Sequence, residues 1–424
     1  MKKLKKAINL MQTPSGRKEF FIRSVHHTWK LWFYLAFIYR RTLLKRVKIV
    51  AIVGSLGKTT TVRAIKTAVG FKNVDPAISN QYGALSFSIL MTNPFASNKI
   101  IEVAIAHPGE MDKIGRAILP DIVVFNSVGR DHLQNFTGIE HIKTEKAQIL
   151  KYVRKNGYVF ANGDDQRIIE SVKISGLNYS TYGFQDGNDI QCTSSICNLE
   201  NGMNIIFKWK DEQYRLHARL FNQKLAYSLL AGFGVATKLG IDKNISLVNL
   251  SKMTPAPGRM ELYKLKNGTS VIGDFYKATL DSLIPAFNLI TNAKVKRKII
   301  IMGGIAYLED SSVENYLEHG RNIAKTFTHA IFIGDMEKAF TTGSINGGMK
   351  SENIFLSKKK WENSIAYLPT DLNENDLIYI TGRQWQKLER ILLRLSDKNV
   401  SCKSEWCDSY MACKSCSLSN VSKN

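Results

Sequence analysis

Acidic residues are scarce in this chain: 36 Asp and Glu stand against 59 Lys and Arg, a formal net charge of +23. The imbalance is local, because residues 1–48 hold thirteen basic residues and a single acidic one. Charge gathered in one segment points to a local anionic partner, not to a uniformly basic body. Cysteine is also rare. Six in 424 residues cannot staple a secreted scaffold, and this usage reads as a reducing compartment. Only nine prolines, with 44% hydrophobic and 22% charged residues, exclude wholesale disorder and collagen-like classes. Long apolar runs are missing: the longest, residues 31–39, covers about half of a ~30 Å hydrocarbon layer as a helix. The cationic start has no apolar stretch before residues 13–16, which argues against a secretory leader, so a cytoplasmic location is expected.

What is present is strand–helix alternation. Residues 47–53, 100–105 and 121–125 read as buried strands, each followed by an amphipathic helix, which predicts a parallel sheet with right-handed crossovers. Between about 187 and 217 the alternation becomes period two around Asn201-Gly202, the signature of an antiparallel hairpin, and a helix from about Gln223 to Leu239 follows. The Pro- and Gly-bearing stretch 254–258 is the best linker. Beyond it, 270–272, 298–302, 330–333 and 377–380 read as strands of a second sheet. The expected fold is α/β: a P-loop parallel-sheet central domain (47–253) and a doubly wound, Rossmann-like C-terminal domain (258–396). A basic aromatic segment (1–46) precedes them and a cysteine-containing tail (397–424) follows.

The first strand runs into Gly54-Ser55-Leu56-Gly57-Lys58-Thr59-Thr60 and then a helix. A strand, a glycine loop, a lysine and a hydroxyl at a helix start form the arrangement in which backbone N–H groups cradle phosphates. Lys58 is expected on the β and γ phosphates of ATP and the Thr59 hydroxyl on Mg²⁺. Glu102 ends a buried strand, where a hard divalent cation is the natural partner for a carboxylate beside a phosphate loop.

From these residues onward the chain resembles the Mur ligase family, in particular its D-alanyl-D-alanine-adding branch. The shortened GxxGKT loop stands at 54–59, Asn80-Gln81-Tyr82-Gly83 is similar to the family's Asn-x-x-Gly, and Glu102 with His107, Gly109 and Glu110 repeats the branch's spacing. Asp131-His132-Leu133 followed by Lys146 is similar to the family's metal-binding histidine and carbamoylated lysine. Gly258-Arg259-Met260-Glu261, Asp274-Phe275-Tyr276 and Gly382-Arg383 resemble C-terminal motifs. The resemblance implies an ATP- and Mg²⁺-dependent ligase that joins a carboxylate acceptor to an amine through an acyl phosphate. It further implies Lys58, Glu102, His132 and Lys146 as catalytic, Asn80, Arg259, Asp274 and Tyr276 on the nucleotide, and Glu102, His132 and Lys146 on metal.

Departures bear on substrate. Only about 46 residues precede the first strand, too few for the branch's uridine-diphosphate-binding domain. Ala106, Gln223-Lys224, Gly273, Lys277, Thr279, Leu280 and Gly304 replace usual residues. Poly-amino-acid synthesis, which also dispenses with that domain, and a non-catalytic ATP-binding scaffold therefore stay open. Residues 18–46 interleave aromatics with Arg and Lys, so an anionic membrane surface is the expected partner and peripheral attachment to the inner face the expected location. A helix docked on the catalytic body competes with that reading. No nucleic-acid motif accompanies the charge, and no such partner is expected. The spacing of Cys402, Cys407, Cys413 and Cys416 admits either a Zn²⁺ site or unligated thiols.

Overall fold

Strand β1 (Lys48–Val53) is five-sixths β-branched or aliphatic and sits between β2 (Asn98–Glu102) and β3 (Ile122–Phe125), parallel to both. Only a strand covered on both faces carries such a continuous apolar run. The sheet continues through β4 (Tyr158–Asn162), β5 (Tyr179–Gly183), β6 (Ile190–Asn198), β7 (Gly202–Trp209) and β8 (Glu212–Ala218), in the order β2-β1-β3-β4-β5-β6-β7-β8. It is parallel from β2 to β6, and β7 pairs antiparallel with β8. The expected hairpin region thus extends the first sheet. The computed structural model describes Arg17, residues 29–72, Val74, 82–129, 135–305, 313–334, 337–358, 360–402, 404–405, Cys407, Ser409, 412–416 and Ser419.

Helices in this unit are α1 (Trp29–Arg41), α2 (Lys58–Val69), α3 (Tyr82–Leu90), α4 (Glu110–Ile118), α5 (Ile139–Ala147), α6 (Gln166–Ser175), α7 (Ala226–Lys238) and α8 (Lys243–Ser251). On one face of the sheet Ile49, Ala51, Val53, Val123 and Phe125 pack with Met111, Ile114 and Ile118 of α4 and Ile142 of α5. Helix α7 is apolar almost all round and buried, as a core helix should be. The Thr61 and Ser228 hydroxyls, 2.9 Å apart, join it to α2.

Helix α1 corrects part of the sequence reading. Arg40, expected among the lipid-facing cations, is buried: its guanidinium donates to the carbonyls of Ile118, Leu119, Leu44 and Val47 and to Asp121 Oδ2 at 2.8 Å. Arg41 donates to the Arg116 carbonyl at 2.9 Å. A guanidinium offers five donors, and the C-terminal carbonyls of α4 are acceptors left over by the helix, so Arg40 closes that end.

The chain divides into two units at Thr254 and Pro255. The second sheet holds β9 (Glu261–Lys264), β10 (Ser270–Asp274), β11 (Arg297–Met302), β12 (His329–Phe332), β13 (Ile354–Leu356) and β14 (Asp376–Thr381), ordered β13-β12-β11-β14-β10-β9. All pairs are parallel except β9 with β10. Its helices are α9 (Leu280–Thr291), α10 (Val313–Thr326), α11 (Glu337–Asn346), α12 (Trp361–Ala366) and α13 (Glu389–Leu395). The four expected strands are there; the edge strands β9 and β13 were not foreseen.

The zinc expectation is not supported. Among the described residues no three His, Cys, Asp or Glu gather as a metal site, and none of the six cysteines is in a disulfide. The backbones of three tail cysteines meet different partners instead. Cys407 N–H donates to the Trp385 carbonyl at 2.8 Å, Arg390 Nη1 to the Cys402 carbonyl at 3.1 Å, and Cys413 N–H to Glu389 Oε1 at 2.6 Å. Burial pushes the Cys413 thiol up, away from the thiolate that ligates zinc.

Candidate active site

The phosphate loop hangs between β1 and α2. Gly57 adopts φ +78°, a left-handed conformation, and no side chain caps the α2 N-terminus. The first N–H groups of a twelve-residue helix are thereby left for an anionic ligand. Gly54 passes so close to the loop after β3 that a Cβ would meet Asn126 Cβ and Ser127 N at 3.0 Å. Cross-bonds fix the loop: Ser55 N–H donates to the Ser127 carbonyl, Leu56 N–H to Ser127 Oγ, each at 2.9 Å, and Gly129 N–H to Ser55 Oγ at 2.7 Å.

Parallel register brings the chemistry to one edge. Ile52 lies opposite Glu102 and Val53 opposite Phe125, so the loop and Glu102 share the C-terminal end of the sheet. The Thr59 hydroxyl donates to Glu102 Oε2 at 2.8 Å. A hydroxyl and a carboxylate in contact form the oxygen donor set that suits Mg²⁺. Lys58 Nζ donates to the carbonyls of Gly54 at 2.7 Å and Ser55 at 3.2 Å. Lys146, on α5, is only 2% exposed, and its Nζ reaches the same Gly54 carbonyl at 3.3 Å. Burial of an ammonium at the loop is not what a solvated helix lysine does.

Glu110 is spent on backbone: its Oε2 accepts from Ala106 N at 2.6 Å and His107 N at 3.1 Å, which closes the turn before α4. Sequence reading missed Asn126. Its Nδ2 donates to Thr61 Oγ1 at 2.8 Å, its Oδ1 accepts from the Tyr182 hydroxyl at 2.9 Å, and its carbonyl takes Asn162 Nδ2. A polar residue straight after a four-residue buried strand was the available signal. Asn80 and His132 lie outside the described residues.

In the second unit, Arg259, Asp274 and Tyr276 do come together. The Arg259 guanidinium stands 4.4 Å from the Tyr276 ring centroid, and Tyr276 N–H donates to the Gly258 carbonyl at 3.1 Å. Buried Asp274 accepts from the Tyr379 hydroxyl at 3.0 Å; desolvation raises its pKa to about 6 against the pull of Tyr379 and Arg259.

Strand, glycine loop, Lys58, Thr59 and Glu102 in this register define a P-loop nucleotide-binding protein. The Mur ligase middle domain matches residues 52–236. The UDP-N-acetylmuramoyl-tripeptide–D-alanyl-D-alanine ligase of Bacillus subtilis is 22% identical over 84% of this chain and 77% of its own. The UDP-N-acetylmuramate–L-alanine ligase of Acetivibrio thermocellus is 28% identical over 53% of this chain and 48% of its own. A MurF structure from Acinetobacter baumannii superposes with TM-score 0.77 at 19% identity over 88% of this chain and 81% of that one. A Thermotoga maritima MurF solved with ADP gives 0.73 at 21% over 87% and 83%. The central domain belongs to the Mur ligase family, and the chain is an ATP-dependent ligase of that carbon–nitrogen-bond-forming type, similar to the D-alanyl-D-alanine-adding branch.

Proposed function

We propose that this protein joins a peptide-like carboxylate to an amine at the cytoplasmic face of the membrane, in cell-envelope or related polymer synthesis. The convergence of Lys58, Lys146, Thr59 and Glu102 on one phosphate loop carries this reading. The acceptor carboxylate oxygen attacks the γ-phosphorus and ADP departs, leaving an acyl phosphate. The amine nitrogen then attacks the acyl carbon, loses a proton, and expels phosphate as the amide forms. The uncapped N-terminus of α2 and the Lys58 ammonium hold the phosphates and meet the negative charge that spreads during transfer. Thr59 and Glu102 would hold Mg²⁺, which when bound neutralises phosphate charge. Carbamoylation of Lys146 would turn a second cation at the Gly54 carbonyl into an anion able to serve a further Mg²⁺ with His132. Relatives named for peptide acceptors and alanine-containing amines support this substrate class.

The test is phosphate release from Mg-ATP by wild type and Lys58→Ala, with a panel of amines and a membrane extract as acceptor. Release that needs both the extract and one amine, and disappears in the variant, establishes the reaction. ATP binding with no release under any mixture overturns it in favour of a scaffold, with the altered stretch from Gly273 to Leu280 as its cause.

A further inference from the structure

Helix α1 has two faces with opposite fates. Its inner face is pinned: Ala36 and Arg40 are buried, the Tyr39 hydroxyl donates to the Thr92 carbonyl at 2.9 Å, and Trp32 meets Phe87 edge to face. Its outer face is apolar and bare. Leu31 is 57% exposed, Tyr34 62%, Leu35 40% and Ile38 40%. The spacing i, i+3, i+4, i+7 makes these one stripe about two turns long. Beside it, in the turn that Tyr39 fastens at Thr92, Phe95 is 93% exposed.

A helix docked on a soluble body ordinarily turns its most apolar stripe inward; here the inner face is held by a buried arginine and the stripe is left outside. The exposed charges at its two ends have one sign. Lys30 and then Lys45, Arg46 and Lys48 are exposed at its two ends, and α1 contains no acidic residue. Residues 1–48 hold thirteen basic residues; among the described ones Arg40 and Arg41 are engaged with the protein's own carbonyls, while Lys30, Lys45, Arg46 and Lys48 face solvent. Thirteen residues span about 20 Å, too short to cross a ~30 Å hydrocarbon layer, and among the described residues no helix is long and apolar enough to do so.

We propose that Leu31, Tyr34, Leu35 and Ile38 form the lipid-facing surface of an in-plane anchor whose partner is an anionic phospholipid surface. The inference rests on the membrane part of the proposed function and gives it a specific face. Apolar side chains enter the headgroup boundary while the flanking cations meet lipid phosphate, the two contributions that in-plane helices combine. Polar nucleic acid offers no complement to the aliphatic stripe.

The experiment is flotation of the full-length protein with vesicles of phosphatidylcholine alone or with about one-third phosphatidylglycerol, for wild type and a Leu31→Glu/Leu35→Glu variant. The expected result is binding to the anionic vesicles that the double variant weakens at least tenfold while its thermal unfolding midpoint stays put. A Tyr34→Trp variant should shift its emission to the blue on those vesicles. Equal binding by wild type and the double variant, absence of vesicle binding, or a concentration-dependent dimer abolished by the same substitutions would overturn the proposal. Phosphate release with a soluble acceptor, measured without vesicles, reads the ligase separately, so loss of anchoring and loss of chemistry are distinguishable.

Discussion

Lys58 and Lys146 share a single acceptor: the Gly54 carbonyl takes the Lys58 ammonium at 2.7 Å and the Lys146 nitrogen at 3.3 Å. Two cations on one oxygen repel each other, and the conflict is resolved if phosphate oxygens draw one away or a carbamate reverses the charge of the other. Replacing either lysine by Ala is expected to lower phosphate release by about 10²–10³. The two losses should differ in kind. Millimolar acetate, a detached carboxylate, is expected to restore part of the Lys146→Ala activity and none of the Lys58→Ala activity. Equal failure to rescue both would remove the anionic role of Lys146.

The Thr59 hydroxyl and Glu102 carboxylate, 2.8 Å apart, predict a metal-specific phenotype. Thr59→Val and Glu102→Gln should each raise the Mg²⁺ concentration needed for half-maximal phosphate release by about 10–100-fold. Binding of ADP measured without Mg²⁺ should stay near wild type. A loss of ADP binding in the absence of metal would instead make these residues part of the loop's scaffold.

The phosphate loop was legible in the sequence because its parts are contiguous: a β-branched strand, two glycines and a helix start leave few alternatives. Glu102 was legible because a carboxylate ending a buried strand demands a partner. Arg40 was not. One dimension gives its charge and its aromatic neighbours, but the acceptors that bury it come from the end of α4, about eighty residues on, and from Asp121. Edge strands of four and three residues, β9 and β13, are too short to show a period. The tail's cysteine spacing was legible and misleading, since spacing says nothing about where the sulfurs point.

Arg40 also sets the stability of the first unit. Removing its guanidinium leaves Asp121 and four carbonyls without that donor, and Arg40→Met is expected to cost about 3–5 kcal/mol. Urea unfolding followed by circular dichroism checks this. Asp121→Asn should cost less, because Arg40 keeps its carbonyl acceptors. A variant at Arg41, half-exposed and hydrogen-bonded at the surface to the carbonyls of Phe37 and Arg116, should fall within about 1 kcal/mol of wild type. If Arg40→Met unfolds like Arg41→Ala, the buried staple is not a stability element.

Asp274 makes stability depend on pH in the less common direction. Burial raises its pKa from 3.8 to about 6, so between those values the folded state holds the proton more tightly than the unfolded chain. Stability contributed at this position therefore falls as pH rises from about 4 to about 6, and the penalty is complete above that. Its ceiling is on the order of 2–3 kcal/mol, and the hydrogen bond from Tyr379 and the nearby Arg259 charge already offset part of it. Asp274→Asn keeps an acceptor for the Tyr379 hydroxyl and cannot ionise. The variant should match wild type near pH 4.5 and exceed it near pH 7.5 in urea midpoint, with a flatter profile between. If Asp274 also contacts nucleotide, the same variant loses phosphate release at pH 7.5 while gaining stability, a divergence that a purely structural carboxylate would not produce. Wild-type and variant stability curves that run parallel from pH 4 to 7.5 would place the titration elsewhere.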